Sequence, residues 1–531
     1  EPVDQSLTLQ RIDTASTSNV QIEIALQGVT QQQHRVRVLL NGAEVGWVAF
    51  GGQSRGVANL TVAQSKLIDG DNVVRLIAQA GETDVSLVDS VRITYQHTYT
   101  AEGDALRLSA TGGQQVTIDG FTGADVRVFD VTNPDAVREL AAVVKPQKGS
   151  YAATTTAAGD GQRALLALTG ARAQQVASAR ANQPSNWRQA SNGADLLIIT
   201  HRDFAAGIGN LKSLRQSQGL SVAVVDVEDI YDEFSYGDKT PQSVKDFLAF
   251  AKGNWKKAPR YVLLVGDASL DPKNYLGYGD SDYVPTKLLD TQLMETASDV
   301  WLADFNGDGV EELAIGRLPV RTAQEAAAMI NKIVAYDRAP RSESMLLVAD
   351  RTDGYDFELN NAVLRSLIPA GLKVVEIDRG RLDDATAKSQ LIEAVNQGQK
   401  IVNYTGHGSV GNWRGQLLTN EDALELTNSN GLSLFITMTC LNGYYQDPVL
   451  DGLAESLMKA SGGGAAAVWA SSGMTLPGNQ AVLNQELYRM LFNGSADGRI
   501  GDLTMRAKSA VTDPDIRRTW TLFGDPSMKL K

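Results

Sequence analysis

Apolar and polar positions alternate in short runs through the first hundred residues. Segments 20–26, 34–40, 45–50, 72–77 and 91–95 each read in period two, with Gly, Asn and Asp between them. That is the pattern of half-buried strands joined by turns. Strands this short at this spacing predict an all-β sandwich-like domain over 1–100. Further short strands near 106–110, 115–118 and 125–130 lead into 145–190, a stretch rich in Ala, Thr, Gly, Gln and Ser. Its weak periodicity predicts a small β unit and a linker over 101–190.

From about 191 the period changes. Continuous apolar runs at 196–200, 221–226, 261–266, 345–350, 373–377, 400–405, 433–439 and 465–470 alternate with helical stretches at 203–218, 241–253, 322–337, 385–397, 450–460 and 479–493. Uninterrupted apolar strands alternating with helices predict an α/β domain with a mainly parallel sheet covered on both faces. Two successive α/β subdomains, 191–340 and 341–531, follow. In such sheets functional residues gather where strands end and loops begin.

Composition narrows the chemistry. The 531 residues carry 62 acidic and 49 basic side chains, a formal net charge of −13, which argues against nucleic acid as a partner. No apolar run reaches the roughly 18 residues of a membrane span. A single cysteine excludes an internal disulfide and every Cys-rich metal cluster, and the four histidines never form HExxH. Cysteine–histidine catalysis can therefore be tested by enumeration, starting from Cys440.

The string Gly406-His407-Gly408-Ser409-Val410-Gly411 follows the strand at 400–405. It matches GxGxxG, but Asn412-Trp413-Arg414-Gly415 is a poor helix start, and Glu421 and Asp422 come too early for the ribose acid of a dinucleotide site. Ser409 lacks the GxSxG frame of a nucleophile elbow. One reading makes His407 a proton-transfer group at a strand end, with the Gly408 N–H placed toward a developing oxyanion; the other makes it a loop histidine beside a tight turn. Cys440 ends the next strand and runs into Leu441-Asn442-Gly443-Tyr444-Tyr445. If the two strands are neighbours, His407 and Cys440 share one crevice, as a thiolate and its base require. The alternative is a buried cysteine acting as a small hydrophobe.

An ordered set of motifs over about 191–531 resembles the gingipain-type cysteine peptidases, which have a caspase-like α/β fold. The set is Tyr261-Val262-Leu263-Leu264-Val265-Gly266-Asp267, Ala314-Ile315-Gly316-Arg317-Leu318-Pro319, Tyr404-Thr405-Gly406-His407-Gly408, Thr439-Cys440-Leu441-Asn442-Gly443 and Trp520-Thr521-Leu522-Phe523-Gly524-Asp525-Pro526-Ser527. The resemblance implies that Cys440 is the nucleophile, His407 the general base and then acid, and the N–H groups of Gly408 and Cys440 the oxyanion hole. Asp282, in the loop that follows the strand at 261–267, is the candidate for orienting the imidazole, with a solvated loop acid as the alternative. Asp299, in Ala297-Ser298-Asp299-Val300-Trp301, resembles the acid of the primary pocket in arginine-directed members and implies cleavage after Arg or Lys. Trp469 is a candidate wall of that pocket or a core residue. His201, at the end of the first α/β strand, is a further candidate pocket residue.

Asp304, Asn306, Asp308 and Glu312 carry oxygens at nearly alternate positions, with Gly309 at the sixth place. This is the first half of a calcium loop, although Ile315 stands where an EF-hand needs Glu. A short structural Ca2+ site is one reading, an acidic turn between strands the other.

Together these features predict a secreted or cell-surface cysteine endopeptidase acting on protein or peptide substrates through a thioester, without an organic cofactor. The N-terminal β-region is expected to act as an intramolecular inhibitor until the linker, which contains Arg172, Arg180 and Arg188, is cut. The competing readings are a sortase-like transpeptidase on the same fold and an inactive binding or adhesion module. The chain opens at Glu1 with neither Met nor an apolar leader, so a signal peptide is expected to have been removed or omitted.

Overall fold

The period-two segments at the start of the chain pair into two antiparallel sheets. One holds Val3–Leu9, Gly70–Ala78, Gln33–Leu40 and Ala43–Gly51, the other Arg55–Ala63, Asn19–Gly28 and Ser86–Thr94. Their inward residues, among them Val20, Ile22, Ile24, Val36, Val38 and Val74, form one buried cluster. His34 is buried at one end of these sheets, stacked on Phe50 at 4.7 Å. Its Nδ1 lies 2.7 Å from an Asp84 carboxylate oxygen, and its Nε2 lies 3.0 Å from the carbonyls of both Thr30 and Gly52. All of these partners are acceptors, so both ring nitrogens donate and the imidazole is charged. Burial alone would lower its pKa; Asp84 and the two carbonyls outweigh that and raise it.

A second set of strands follows, in a four-stranded and a three-stranded sheet that share a core of Val116, Ile118, Phe121, Val128, Ala153 and Leu165. Here the linker expectation needs correcting. Residues 150–156 and 162–169 are strands, Ser150–Thr156 and Gln162–Thr169. Their buried positions include Ala152, Ala153, Thr155 and Ala167, residues too small to give a strong hydropathy signal. Among the described residues, the last regular element of this unit is the short turn of helix Gly170–Arg172. Arg180 lies outside the described residues. Arg188 packs on the domain that follows, donating to the Glu233 carbonyl at 2.8 Å and lying 4.2 Å over the Phe234 ring.

The chain divides into two compact units, Glu1–Ala181 and Asn182–Lys531. This computed structural model describes residues 2–176, 181–182, 184–340, 342–493 and 498–530. No helix among them is long and apolar enough to cross a membrane.

The second unit is built on a ten-stranded sheet. In chain order its strands are β1 (Leu196–Thr200), β2 (Val222–Asp226), β3 (Tyr261–Val265), β4 (Ala314–Leu318), β5 (Ser344–Ala349), β6 (Lys373–Asp378), β7 (Ile401–Thr405), β8 (Ser433–Met438), β9 (Ala465–Ser471) and β10 (Trp520–Phe523). Across the sheet they run β2-β1-β3-β4-β10-β9-β8-β7-β5-β6. Helices such as Pro241–Asn254, Ala323–Arg338, Asp384–Asn396 and Pro477–Asn493 fall where the periodicity predicts them. The predicted 203–218 helix is broken into a 3-10 turn, Arg202–Gly207, and an α-helix, Gly209–Ser217, by the two glycines between.

Every neighbouring pair is parallel except β9 and β10, which are antiparallel. The sheet is therefore two parallel halves of opposite polarity. The carboxyl ends of β1 to β4 lie at one edge, and those of β5 to β9 at the other. After β8 the chain crosses the sheet: Gly443 donates to the Ser471 carbonyl at 2.8 Å, Tyr445 packs edge-on against Phe523 at 5.5 Å, and the Gln446 carbonyl accepts from Leu270 at 2.8 Å.

Candidate active site

β7 and β8 are adjacent, with Thr405 opposite Met438. His407 and Cys440 each lie two residues beyond those partners, on strands about 4.8 Å apart. The two groups chosen from the sequence thus emerge side by side at one edge. Gly406 donates to the Met438 carbonyl at 3.2 Å, and Gly408 begins a two-residue hairpin, Gly408–Ser409 against Asn412–Trp413. The glycines are required by close packing. A Cβ on Gly406 would lie 2.4 Å from the Tyr404 hydroxyl, and one on Gly408 would lie 2.7 Å from Thr439 Oγ1.

The half-buried sulfur of Cys440 sits against Thr475, whose N–H donates to Sγ at 3.4 Å and whose carbonyl lies 3.4 Å from it. The next residue, Leu441, has φ +63°, a left-handed turn that a branched side chain adopts at a cost of order 1–3 kcal/mol. Asn442 is fully buried and locks the turn to the histidine hairpin. Its amide donates to the Ser409 carbonyl at 2.7 Å, and its Oδ1 accepts from Trp413 Nε1 at 2.8 Å. Trp413 in turn stacks on Tyr404 at 4.1 Å.

The carboxylate beside the imidazole is Asp353, 3.3 Å from His407 Nε2. With Asp353 ionised, Nε2 carries the proton and Nδ1 holds the lone pair. The guanidinium of Arg414 bonds the other oxygen of Asp353, donates to the Arg351 carbonyl at 2.8 Å and pairs with the buried Asp350 at 2.8 Å. The Arg414 hydrogen bond, aided by His407, holds the Asp353 carboxyl below its ordinary pKa. Asp350 also accepts the His407 backbone N–H at 3.1 Å.

The other residues chosen from the sequence are placed elsewhere. Asp282 lies in the loops after β3, at the opposite edge from the carboxyl ends of β7 and β8. It is buried, pairs with Lys239 at 3.2 Å and accepts from the Ser269 N–H at 3.1 Å. Burial raises its pKa against the pull of Lys239. The choice of Asp282 assumed that all strands end at one edge, and the antiparallel β9–β10 pair reverses that. Asp299 is 2% exposed and ion-paired with the fully buried Arg317 of β4. Trp469 is in the middle of β9 and belongs to the core, edge-on to Trp520. His201 accepts from the Asp203 N–H at 3.3 Å and packs on Phe204 and Tyr283.

In the acidic loop each of these side chains accepts from local backbone N–H groups. Asp304 accepts from Gly307 and Gly309 at 2.7 and 2.9 Å, Asn306 from Asp308 at 2.9 Å, Asp308 from Val310 at 2.8 Å and Glu312 from Phe305 at 2.6 Å. Among the described residues no three His, Cys, Asp or Glu side chains gather to hold a metal ion.

A cysteine and a histidine on adjacent strand ends of such a sheet are the pair that a cysteine peptidase requires. The chain belongs to peptidase family C25, whose sequence model matches residues 189–531. Gingipain R2 of Porphyromonas gingivalis is 24% identical over 366 residues, covering 63% of this chain and 46% of that protein. This chain therefore spans about half the length of that relative. Among solved structures, the Arg-specific cysteine proteinase gingipain R has a TM-score of 0.55 at 23% identity, over 64% of this chain and 79% of its own. Dimeric latent PorU from P. gingivalis has a TM-score of 0.54 at 14% identity, over 100% of this chain and 49% of its own. Asp353, Arg414, Asn442 and Thr475 escaped the sequence reading. Only Asp353 had a usable signal, since it lies just past β5, the strand beside β7.

Proposed function

We propose that this chain is a cysteine endopeptidase that cleaves through Cys440 and His407. The observation that supports it best is the adjacency of these two strand ends with Asp353 against the imidazole. In the proposed cycle His407 Nδ1 takes the Cys440 proton and Sγ attacks the scissile carbonyl carbon. The carbonyl electron pair moves onto oxygen, toward the N–H groups of Gly408 and Cys440. The intermediate collapses to a thioester as the C–N bond breaks, and the imidazolium protonates the departing amine. Water, deprotonated by the same nitrogen, then releases the acid and restores the thiol. Asp353 keeps the proton on Nε2, so that Nδ1 stays available.

Latency and a location outside the cytoplasm belong to the same proposal. The N-terminal β-unit restrains the peptidase until the chain is cut between the units. In support, the structure that is alike over the whole chain is of a latent protein.

The test compares wild type, Cys440→Ala and His407→Ala on a labelled protein substrate, with fragment sizes followed in parallel. Turnover should disappear in both variants. Turnover that persists in Cys440→Ala removes the peptidase assignment. Identical fragment patterns from wild type and Cys440→Ala remove self-processing.

A further inference from the structure

We infer that the residue on the acyl side of the cleaved bond is neutral and apolar, not arginine or lysine. This rests on the peptidase reading above.

The first observation concerns Asp299. The hairpin that carries it, Lys287–Asp290 with Glu295–Ser298, borders the nucleophile. Thr296 Oγ1 donates to the Ser472 carbonyl at 2.8 Å and Ser472 Oγ to the Ala297 carbonyl at 2.6 Å, while the adjoining Gly473 carbonyl accepts from Leu441, next to Cys440, at 3.2 Å. Asp299 is thus well placed along the chain to receive a substrate cation, but its carboxylate is already engaged. Arg317 Nε donates to one oxygen and Nη2 to the other, both at 2.7 Å, and Thr286 adds a bond of 2.9 Å. Arg317 is fully buried, and its Nη1 is fixed by the carbonyls of Gly266 and Val284 at 2.7 and 2.8 Å. A basic side chain entering here would meet a neutral pair. To gain the carboxylate it would have to leave a buried guanidinium without its counter-charge. Glu295, exposed on the same hairpin, points to the opposite face from Thr296, because successive strand residues alternate.

The second observation is independent. Thr475 touches Sγ through both its N–H and its carbonyl, and the residues on either side of it are Met474, 37% exposed, and Leu476, 56% exposed. Isolated surface apolar groups are ordinary. These two flank the residue in contact with the nucleophile, where a substrate side chain must lie. An apolar substrate residue would cover them.

The test uses peptidyl acyloxymethyl ketones that differ only in the residue next to the ketone: Leu, Met, Arg or Lys. In each, Cys440 Sγ bonds the methylene carbon and the carboxylate leaves. Labelling of Cys440 in the full chain is followed by intact mass and peptide mapping, with iodoacetamide as the accessibility control. The Leu and Met probes should react at least about tenfold faster than Arg and Lys, the scale of discrimination an apolar site supplies. In Leu476→Ala and Met474→Ala the Leu rate should fall, while the Arg and iodoacetamide rates stay the same. An Arg or Lys probe that reacts as fast as Leu, or faster, overturns the inference and leaves the peptidase reading standing. If iodoacetamide alkylates Cys440 and no ketone does, either in the full chain or after limited proteolysis between the two units, the peptidase reading falls, and this inference with it.

Discussion

Replacing Asp299 by asparagine separates a structural acid from a substrate-binding one. The change keeps the shape of the side chain and removes one charge from a pair whose side chains are 2% and 0% exposed. Arg317 would keep its bonds to the Gly266 and Val284 carbonyls but lose the carboxylate paired with it. Its pKa reflects that dependence: burial alone would lower it, and Asp299 holds it raised. Removing one member of a buried pair costs about 3–5 kcal/mol. Asparagine still offers one oxygen to the guanidinium, which puts the expected loss near the lower figure, about 3 kcal/mol. The second unit has roughly 350 residues, and at about 2.1 cal/mol/K each its unfolding entropy is about 0.7 kcal/mol/K. The expected fall in Tm is therefore about 4 °C. Differential scanning calorimetry of wild type and Asp299→Asn reads it directly. An unchanged Tm together with loss of labelling by an Arg-directed probe would refute the reasoning and make Asp299 the receptor of a basic side chain.

Two other perturbations test the site and the β-sandwich. Asp353→Asn should lower kcat/KM about tenfold: a hydrogen bond to a charged group is worth about 1.5–3 kcal/mol, discounted because Asp353 is 39% exposed. Unchanged kcat/KM would remove Asp353 from the mechanism; unchanged Tm alongside the loss would exclude a folding effect. The charged His34 ties three loops of the first sandwich, and its raised pKa fixes the sign of the pH effect. Its contribution is complete below about pH 6.5, the unfolded value, and is lost as pH rises through the higher folded value. Asp84, whose pKa burial alone would raise but His34 and backbone N–H groups lower, acts at the other end. Its contribution holds above about pH 3.9 and is lost as pH falls through the depressed folded value. Hydrogen exchange across residues 19–94, corrected for intrinsic rates, should show more protection at pH 5.5 than at pH 8.5 in wild type and little difference in His34→Gln. Equal pH dependence in both proteins would contradict the charged-imidazole assignment.

What could be read from the sequence divides along physical lines. β7 and β8 are continuous apolar runs that end abruptly in polar residues, so their ends, and with them His407 and Cys440, were visible. Gly406 and Gly408 match a dinucleotide fingerprint only as a string, and they make room for the Tyr404 hydroxyl and for Thr439. Ser150–Thr156 was hidden because alanine and threonine give little hydropathy contrast, although Ala152, Ala153 and Thr155 are buried. The helix Phe357–Leu367 was missed because its inward face is only Phe357, Asn361 and Leu364, one of them an asparagine. Asp282 failed for a different reason. Strand direction is a property of the pairing between β9 and β10, and nothing local to Asp282 records it. The same holds for Asp299, whose partner Arg317 was visible as a motif residue but not as its counter-ion.

The seam between the two half-sheets has a consequence for biogenesis. β10, the last of the ten strands to be synthesised, is inserted between β4 and β9 and is the strand that joins the two halves of the sheet. Until residue 523 has left the ribosome, β4 and β9 have no common neighbour, and the Cys440 loop lacks the Phe523 ring on which Tyr445 rests. Pairings this distant in sequence close late and slowly. A nascent chain therefore carries His407 and Cys440 on the paired β7 and β8 before the two halves of the sheet are joined, so the loop that follows Cys440 gains its last support only when β10 arrives.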